Sequence, residues 1–240
     1  MEVSKLTIEK LEKLQCMMYR VILNCPKSTP YVALIWDLGG ILMKHRITLK
    51  KLMFLHHIIK GVDKSSLAFK IQEIQNNLNF PGLIQECKKY IAELELPNIF
   101  EEKITHNKWK ESVKRAILKQ NETDLKSEMK SKTSELLKEE FGMKNYVKEV
   151  TLFEARTLFK HRCHMTQYVQ MNFKNDEGFS KNLWKCECGN MDTESHLLWC
   201  PLYNKLRQKR NLDDNKDLCK YLHEILTIRT QEALRKAKTD

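Results

Sequence analysis

The chain has 240 residues, of which 42% are hydrophobic and 30% are charged, and its formal net charge is +11. This length can bury one large core or two small ones, and the composition is that of a globular protein. No apolar run approaches the roughly 18 residues of a membrane span, so we expect no membrane segment. The positive charge points to a polyanionic partner, although a general bias towards lysine would give the same excess.

Apolar residues at helical spacing predict a series of helices in the first half of the chain. The first covers residues 6–24. The second begins at Pro30, behind the cap residue Thr29, and ends at Gly39 and Gly40. Three further helices are predicted over residues 43–60, 65–77 and 83–94.

The second half of the chain is also helical in pattern, but more highly charged. Residues 119–140 are mostly Lys, Glu, Ser and Thr, which is typical of a solvated helix or of a linker. Thr151 and Glu154 have the spacing of a capping box and predict the start of another helix. Two helices, over residues 202–211 and 217–236, are expected after it. With no convincing strand pattern, the sequence predicts an all-α fold, an irregular array of about eight to ten helices.

Four residues of the types that bind metal ions lie within one stretch of fifteen residues. They are Cys186, Cys188, His196 and Cys200. Zinc takes four thiolate or imidazole ligands tetrahedrally. A turn at Gly189 and a short helix capped by Asp192 or Thr193 would direct the two pairs towards one point, with the second pair on one helix face. We therefore predict a small C-terminal zinc knuckle with one structural ion, although Cys-x-Cys is an uncommon ligand pair and chance is the alternative.

Two groups of basic residues are candidates for contact with phosphates. One follows the knuckle within a single predicted helix and consists of Lys205, Arg207, Lys209 and Arg210. Trp184 beside it would provide a stacking face for unpaired bases, whereas Trp199 is equally compatible with core packing. The other group includes Arg46 and Lys50, which share one arc of the helix over 43–60. For both groups the alternative is an ordinary solvated helix face.

The remaining chemistry-bearing residues show no catalytic arrangement. Asp213 and Asp214 superficially resemble a polymerase aspartate pair, but they lie between predicted helices and not on a strand–turn–strand. No glycine-rich phosphate loop or nucleophile elbow is present, so we expect no enzymatic activity. The other cysteines are scattered, and with no signal peptide they read as reduced thiols of an intracellular protein, nuclear or cytoplasmic. They are Cys16, Cys25, Cys87, Cys163 and Cys219.

Two parts of the chain resemble non-LTR (LINE-type) retrotransposon polyproteins. The C-terminal part resembles their Cys-Cys-His-Cys knuckle, over residues 186–189, 194–203 and 206–207. The N-terminal part resembles the helical region after their reverse transcriptase core, over residues 11–20, 28–30, 37–40, 44–47 and 51–55. The resemblance implies zinc ligation by the four knuckle residues and a role in holding element RNA or target DNA.

The chain also departs from that family's pattern. Three residues separate His196 from Cys200, where many family knuckles have four. The polymerase domain is absent, and too few residues follow Cys200 for a nuclease domain. The resemblance therefore indicates a separated C-terminal fragment, either a relic or a domesticated piece.

These observations lead to one prediction of organisation and function. The segments are a helical domain over 1–118, a charged helix or linker over 119–150, a helix and loop over 151–183, a zinc knuckle with a basic helix over 184–211 and a C-terminal helix over 212–240. The predicted function is zinc-dependent binding of RNA or DNA, preferentially single-stranded, without polymerase or nuclease activity. The alternatives are a zinc-stabilised scaffold for a protein partner and a non-functional relic.

Overall fold

A computed structural model of the protein describes residues 3–78, 81–100, 103–128, 140–163 and 186–236. In these ranges the elements are all helices, joined by turns and irregular segments and with no β-strand, which confirms the predicted all-α class. The α-helices, numbered in chain order, are α1 (Lys5–Leu23), α2 (Tyr31–Asp37), α3 (Met43–His56), α4 (Leu67–Asn77), α5 (Leu83–Glu93), α6 (His106–Glu128), α7 (Asn145–Glu149), α8 (Leu152–Arg162), α9 (Glu194–Trp199), α10 (Asn204–Arg207) and α11 (Asn215–Lys236). A π-helical turn, His57–Gly61, extends α3, and a 3-10 turn, Pro201–Tyr203, precedes α10. None of the described helices is both long and apolar enough to cross a membrane.

The chain forms two compact units. Unit 1 consists of Met1–Tyr19 and Leu34–Phe141, and unit 2 consists of Arg20–Ala33 and Gly142–Asp240. Each unit therefore combines two separate stretches of sequence, whereas the five segments predicted above follow one another along the chain.

The core of unit 1 is formed where α3 packs against α5 and α6. Its largest side chain, Trp109 of α6, is fully buried and donates a hydrogen bond from Nε1 to the carbonyl oxygen of Leu52, at 3.1 Å. Leu55 of α3, Cys87 of α5 and Val113 of α6 are fully buried in the same cluster. Burial of each large apolar side chain contributes about 1.5–3 kcal/mol, so this cluster holds the three helices together.

A buried amide connects α6 to the start of α3. Asn121 accepts a hydrogen bond from the backbone N–H of Leu42 at 2.9 Å and donates one to the carbonyl of Gly40 at 3.2 Å. Leu42 has no capping side chain of its own; Asn121 satisfies its backbone N–H from a distant helix, and the carboxylate of Glu12 accepts from the N–H of Lys44 at 3.4 Å. Residues 119–128 continue α6, and Asn121 and Leu125 within this stretch are fully buried. For this part of the charged segment, the helix alternative is the correct one.

Unit 2 is built around α8 and α11, which pack against each other. Helix α8 begins with the predicted capping box, in which Thr151 accepts from the backbone N–H of Glu154 and the Glu154 carboxylate accepts from the backbone N–H of Thr151. Further along α8, Arg156 donates a 2.7 Å hydrogen bond to the carbonyl of Ile22, which belongs to the same unit. On α11, Tyr221 and Ile225 are fully buried in one cluster with Cys186 and Cys200, two of the predicted zinc ligands.

The predicted helix over 202–211 is wrong in its extent. The 3-10 turn at Pro201–Tyr203 leads into α10, which ends at Arg207. The backbone N–H groups of Lys209 and Arg210 bond to carbonyls three residues earlier, so both residues lie in tight turns after the helix. The guanidinium group of Arg210 pairs with Glu224 of α11.

Candidate metal centre

The four predicted ligand residues converge on one point in unit 2. One ligand atom from each of Cys186, Cys188, His196 and Cys200 lies within 4.8 Å of the others. The two cysteine sulfurs of Cys186 and Cys200 are 3.6 Å apart, and Cys188 Sγ lies 3.3 Å from His196 Nε2. Around a tetrahedral zinc ion, sulfur atoms at about 2.3 Å and a nitrogen atom at about 2.0–2.1 Å from the metal would be roughly 3.5–3.8 Å from one another. The cluster can therefore hold a metal ion with little rearrangement.

The first ligand pair is positioned by a tight backbone turn. The N–H of Gly189 donates to the carbonyl of Cys186, and the N–H of Cys186 donates to the carbonyl of Asn190, both at 2.8 Å. Gly189 has a φ of +89°, in the left-handed region that residues with a Cβ atom rarely adopt. The turn predicted at this glycine is confirmed.

Of the second ligand pair, His196 lies in the first turn of α9 and Cys200 follows its last residue. Thr193 caps this helix by accepting a hydrogen bond from the backbone N–H of His196 at 3.1 Å, which decides between the two predicted cap residues. Cys200, with φ −59° and ψ 128°, is extended and follows the last helical residue. The prediction that both ligands lie on one face of a helix is therefore wrong for Cys200. Pro201 explains the difference, because a proline disfavours helical geometry at the preceding residue.

The thiols of Cys188 and Cys200 differ in acidity because their surroundings differ. Burial raises the pKa of Cys200 to about 12, whereas a hydrogen bond from the backbone of Asn190 lowers the pKa of Cys188. Near neutral pH, ionisation of Cys200 therefore needs a strong positive charge at the centre. A divalent metal ion supplies such a charge, since coordinated thiols lose their protons.

A buried arginine completes the surroundings of the cluster. Arg229 of α11 forms two hydrogen bonds of 2.8 Å with the carboxylate of Asp192 and one of 3.0 Å with the hydroxyl of Tyr203. Its Nη2 atom also lies 3.9 Å from the sulfur of Cys186. Arg229 is not among the residues predicted for the site. The available signal was a charged side chain in register with Tyr221 and Ile225, on the apolar face of a helix.

Trp199 is a surface residue beside the metal centre, so core packing is the wrong interpretation of it. Its side chain is 71% exposed, and the guanidinium of Arg207 lies over the ring at 5.7 Å from the centroid. Arg207 is held there by the carbonyl of Leu198 at 2.8 Å and by Asn204 Oδ1 at 2.9 Å. The ring and the guanidinium therefore form a cation–π pair on the surface of unit 2.

The other predicted nucleic-acid-binding residues occupy different positions. Lys205 and Lys209 are exposed in unit 2, near α10, whereas Arg210 is engaged by Glu224. Arg46 and Lys50 are exposed on α3 and belong to unit 1, so the metal-bearing unit does not contain them. Trp184, the predicted stacking residue, lies outside the described residues.

The fold and the site define a helical protein with a Cys-Cys-His-Cys cluster that could bind a metal ion. The chain matches no known protein family, no curated protein and no solved structure.

Proposed function

We propose that this protein is a zinc-dependent nucleic-acid-binding module that recognises single-stranded RNA or DNA. The observation that carries the proposal is the exposed Trp199 ring, in cation–π contact with Arg207, at the end of the helix that carries His196. Three sulfurs and one imidazole nitrogen form a donor set typical of structural zinc. The metal would hold the turn and α9 in place, and with them the position of this ring.

The surface around Trp199 has the features that single strands require. Arg207 covers one face of the ring, and the high exposure of the side chain leaves the opposite face for a base. Stacking of one base on an aromatic ring contributes about 1–3 kcal/mol and needs a base that is free of its duplex. The exposed cations Lys205 and Lys209 follow within ten residues and can contact the phosphates of the same strand.

A second basic surface lies on α3 in unit 1. Two other cations of this helix are paired, Lys44 with Asp124 and Lys51 with Glu86. Arg46 and Lys50 point outwards and form no ion pair within the described ranges. They would add phosphate contacts, which are independent of sequence.

The resemblance to retrotransposon polyproteins supports the same proposal, since it implies a chain that holds nucleic acid for a separate polymerase. On this proposal the protein has no polymerase or nuclease activity of its own. It would act by binding alone.

Binding to labelled oligonucleotides tests the proposal. We expect the full chain to bind a single-stranded oligonucleotide more tightly than a duplex, and Trp199→Ala to lose about 5- to 150-fold in affinity for the single strand. Trp199→Phe keeps an aromatic face and should retain most of the binding. Trp184→Ala measures the contribution of the other predicted stacking residue.

Salt dependence separates phosphate contacts from other contributions. Replacing Lys205 and Lys209 with Gln should reduce the slope of log affinity against log salt by about 1.4 units, since each phosphate contact to a single strand contributes about 0.7. The matched control replaces Lys64 and Lys70, which are exposed in unit 1, and should leave the slope unchanged. Absence of binding by the metal-loaded chain at low salt would overturn the proposal.

The scaffold function is the second candidate, and the surface of α4 favours it. Four apolar residues at helical spacing are exposed on one side of this helix: Leu67, Ile71, Ile74 and Leu78. Exposed apolar stripes of this kind are common at protein interfaces. If the metal-loaded chain binds no nucleic acid, this stripe is the surface on which to test protein partners.

A further inference from the structure

Arg229 lies where the C-terminal helix meets the metal cluster. Its side chain is only 12% exposed, and that of its partner Asp192 is 3% exposed. Both terminal nitrogens of the guanidinium bond to the two carboxylate oxygens, and Nε donates to Tyr203. A buried ion pair is stable only when its remaining hydrogen-bonding groups are satisfied, and this bidentate pair meets that condition.

The contacts of this one guanidinium reach both halves of the metal motif. Asp192 lies between the turn that carries Cys186 and the helix that carries His196. Tyr203 lies three residues after Cys200. Arg229 therefore holds the backbone next to each ligand pair, from an element that contributes no ligand itself.

The same guanidinium also lies within reach of a ligand atom. Its Nη2 is 3.9 Å from Cys186 Sγ, the length of a long N–H···S hydrogen bond. A divalent ion with three thiolates and a neutral imidazole carries one excess negative charge. Positive groups that donate to a coordinated sulfur stabilise that charge and withdraw electron density from the sulfur.

We infer that Arg229 is a positioning residue of the metal centre, which orients Cys186 and Asp192 and thereby links metal binding to α11. This inference rests on metal binding by the four ligands and is independent of nucleic-acid binding. A purely structural role, in which Arg229 only attaches α11 to the rest of unit 2, would leave the electronic properties of the centre unchanged.

Cobalt substitution distinguishes the two roles, since Co²⁺ bound to thiolates has charge-transfer bands that report on the sulfur atoms. In the full chain, Arg229→Gln should lower the affinity for Co²⁺ by about 10- to 100-fold. It should also move the thiolate-to-cobalt bands to lower energy, because the sulfur regains electron density. Arg229→Lys keeps the charge but loses the bidentate geometry. Its affinity for Co²⁺ should therefore lie between those of the unaltered chain and of Arg229→Gln.

The matched control is Arg210→Gln, which also removes an ion pair with α11 but does not contact a sulfur. It should leave the affinity and the band energies unchanged. The inference is wrong if Arg229→Gln and Arg210→Gln give the same affinity and the same spectrum, or if the unaltered chain binds Co²⁺ without thiolate bands. Should Arg229→Gln fail to fold, Asp192→Asn provides the test instead. This substitution removes the charged partner of Arg229 but keeps the size and shape of the side chain. Wild-type affinity in that variant would overturn the inference, and reduced affinity would support it.

Discussion

Cys200 is both a potential metal ligand and a member of a hydrophobic cluster. Its side chain is fully buried with Leu197, Tyr203 and Tyr221. Water has little access to this sulfur, and burial raises its pKa to about 12. A metal bound there would be well protected, but its loss would leave a protonated thiol in an apolar core. At this residue, metal binding and core packing depend on each other.

The first prediction concerns the metal content of the protein. The purified chain should contain one zinc ion, because the four ligands complete a tetrahedral site. Replacing Cys188 and His196 together with alanine should abolish binding, as measured by elemental analysis after dialysis. Cys25→Ser is the control, since Cys25 is not part of the cluster, and it should keep the full metal content. Zinc that persists in the double variant would show that the ion lies elsewhere.

The four ligands could be predicted from the sequence because their geometry is local. A turn at Gly189 and a helix capped by Thr193 are both encoded within a few residues of the ligands. The role of Arg229 was not predictable in the same way, since it depends on how α11 packs against the motif. The exposure of Trp199 also depends on that packing, because only the arrangement of neighbouring elements decides which side of a short helix faces solvent.

At the scale of elements, α3 depends on a residue that lies far away in sequence. The second prediction is that Asn121→Leu destabilises unit 1 by about 2–4 kcal/mol, since it leaves the buried N–H of Leu42 and the carbonyl of Gly40 without partners. Denaturant unfolding would measure this change. Asn107→Leu is the same substitution on the exposed side of the same helix and should cost less than about 0.5 kcal/mol. Equal effects would show that the two hydrogen bonds of Asn121 contribute nothing specific to the stability of unit 1.

The third prediction is that unit 1 becomes less stable as the pH falls below about 6.5. Burial lowers the pKa of His45 and His56 on α3, in spite of a contact between His45 and Asp124. The unfolded chain then binds more protons than the folded chain below the ordinary histidine pKa, so acid favours unfolding. The free energy of unfolding should therefore decline from about pH 7 to about pH 5. In a variant with both histidines replaced by Gln the decline should be shallower, and an unchanged slope would contradict this assignment.

Helices with a sustained apolar face or a clear cap were predicted well, including the short helices α2 and α9, whereas α7 was not predicted and α10 was predicted too long. The bounds of α1 and α5 and the start of α8 agree with the predictions to within one or two residues, because α1 and α5 have a sustained apolar face and α8 begins with a capping box. Helix α7 is only five residues long and shows no period that a pattern could reveal. Helix α10 is shorter than predicted because tight turns follow it, and these are not visible in hydrophobic spacing.

At the scale of the whole molecule, the division into two units predicts a local response to loss of the metal. The fourth prediction is that a chelator raises hydrogen exchange in residues 186–200 and in α11, while α3 and α6 in unit 1 keep their protection. The motif alone predicts loosening only around residues 184–202. The structure extends the effect to α11, because Tyr221 and Ile225 pack in the same cluster as two of the ligands. Hydrogen exchange measured by mass spectrometry would resolve these segments. Increased exchange in α6 would contradict the prediction.

During protein synthesis, Asn121 is added long after the two backbone groups with which it forms hydrogen bonds. It follows Leu42 and Gly40 by 79 and 81 residues. At about 5–20 residues per second, the ribosome needs roughly 4–16 s to add that length. Throughout this interval the beginning of α3 stays hydrated, and its apolar face has no α6 to cover it. Slower synthesis between these positions would therefore lengthen the time for which the N–H of Leu42 and the carbonyl of Gly40 lack their partner.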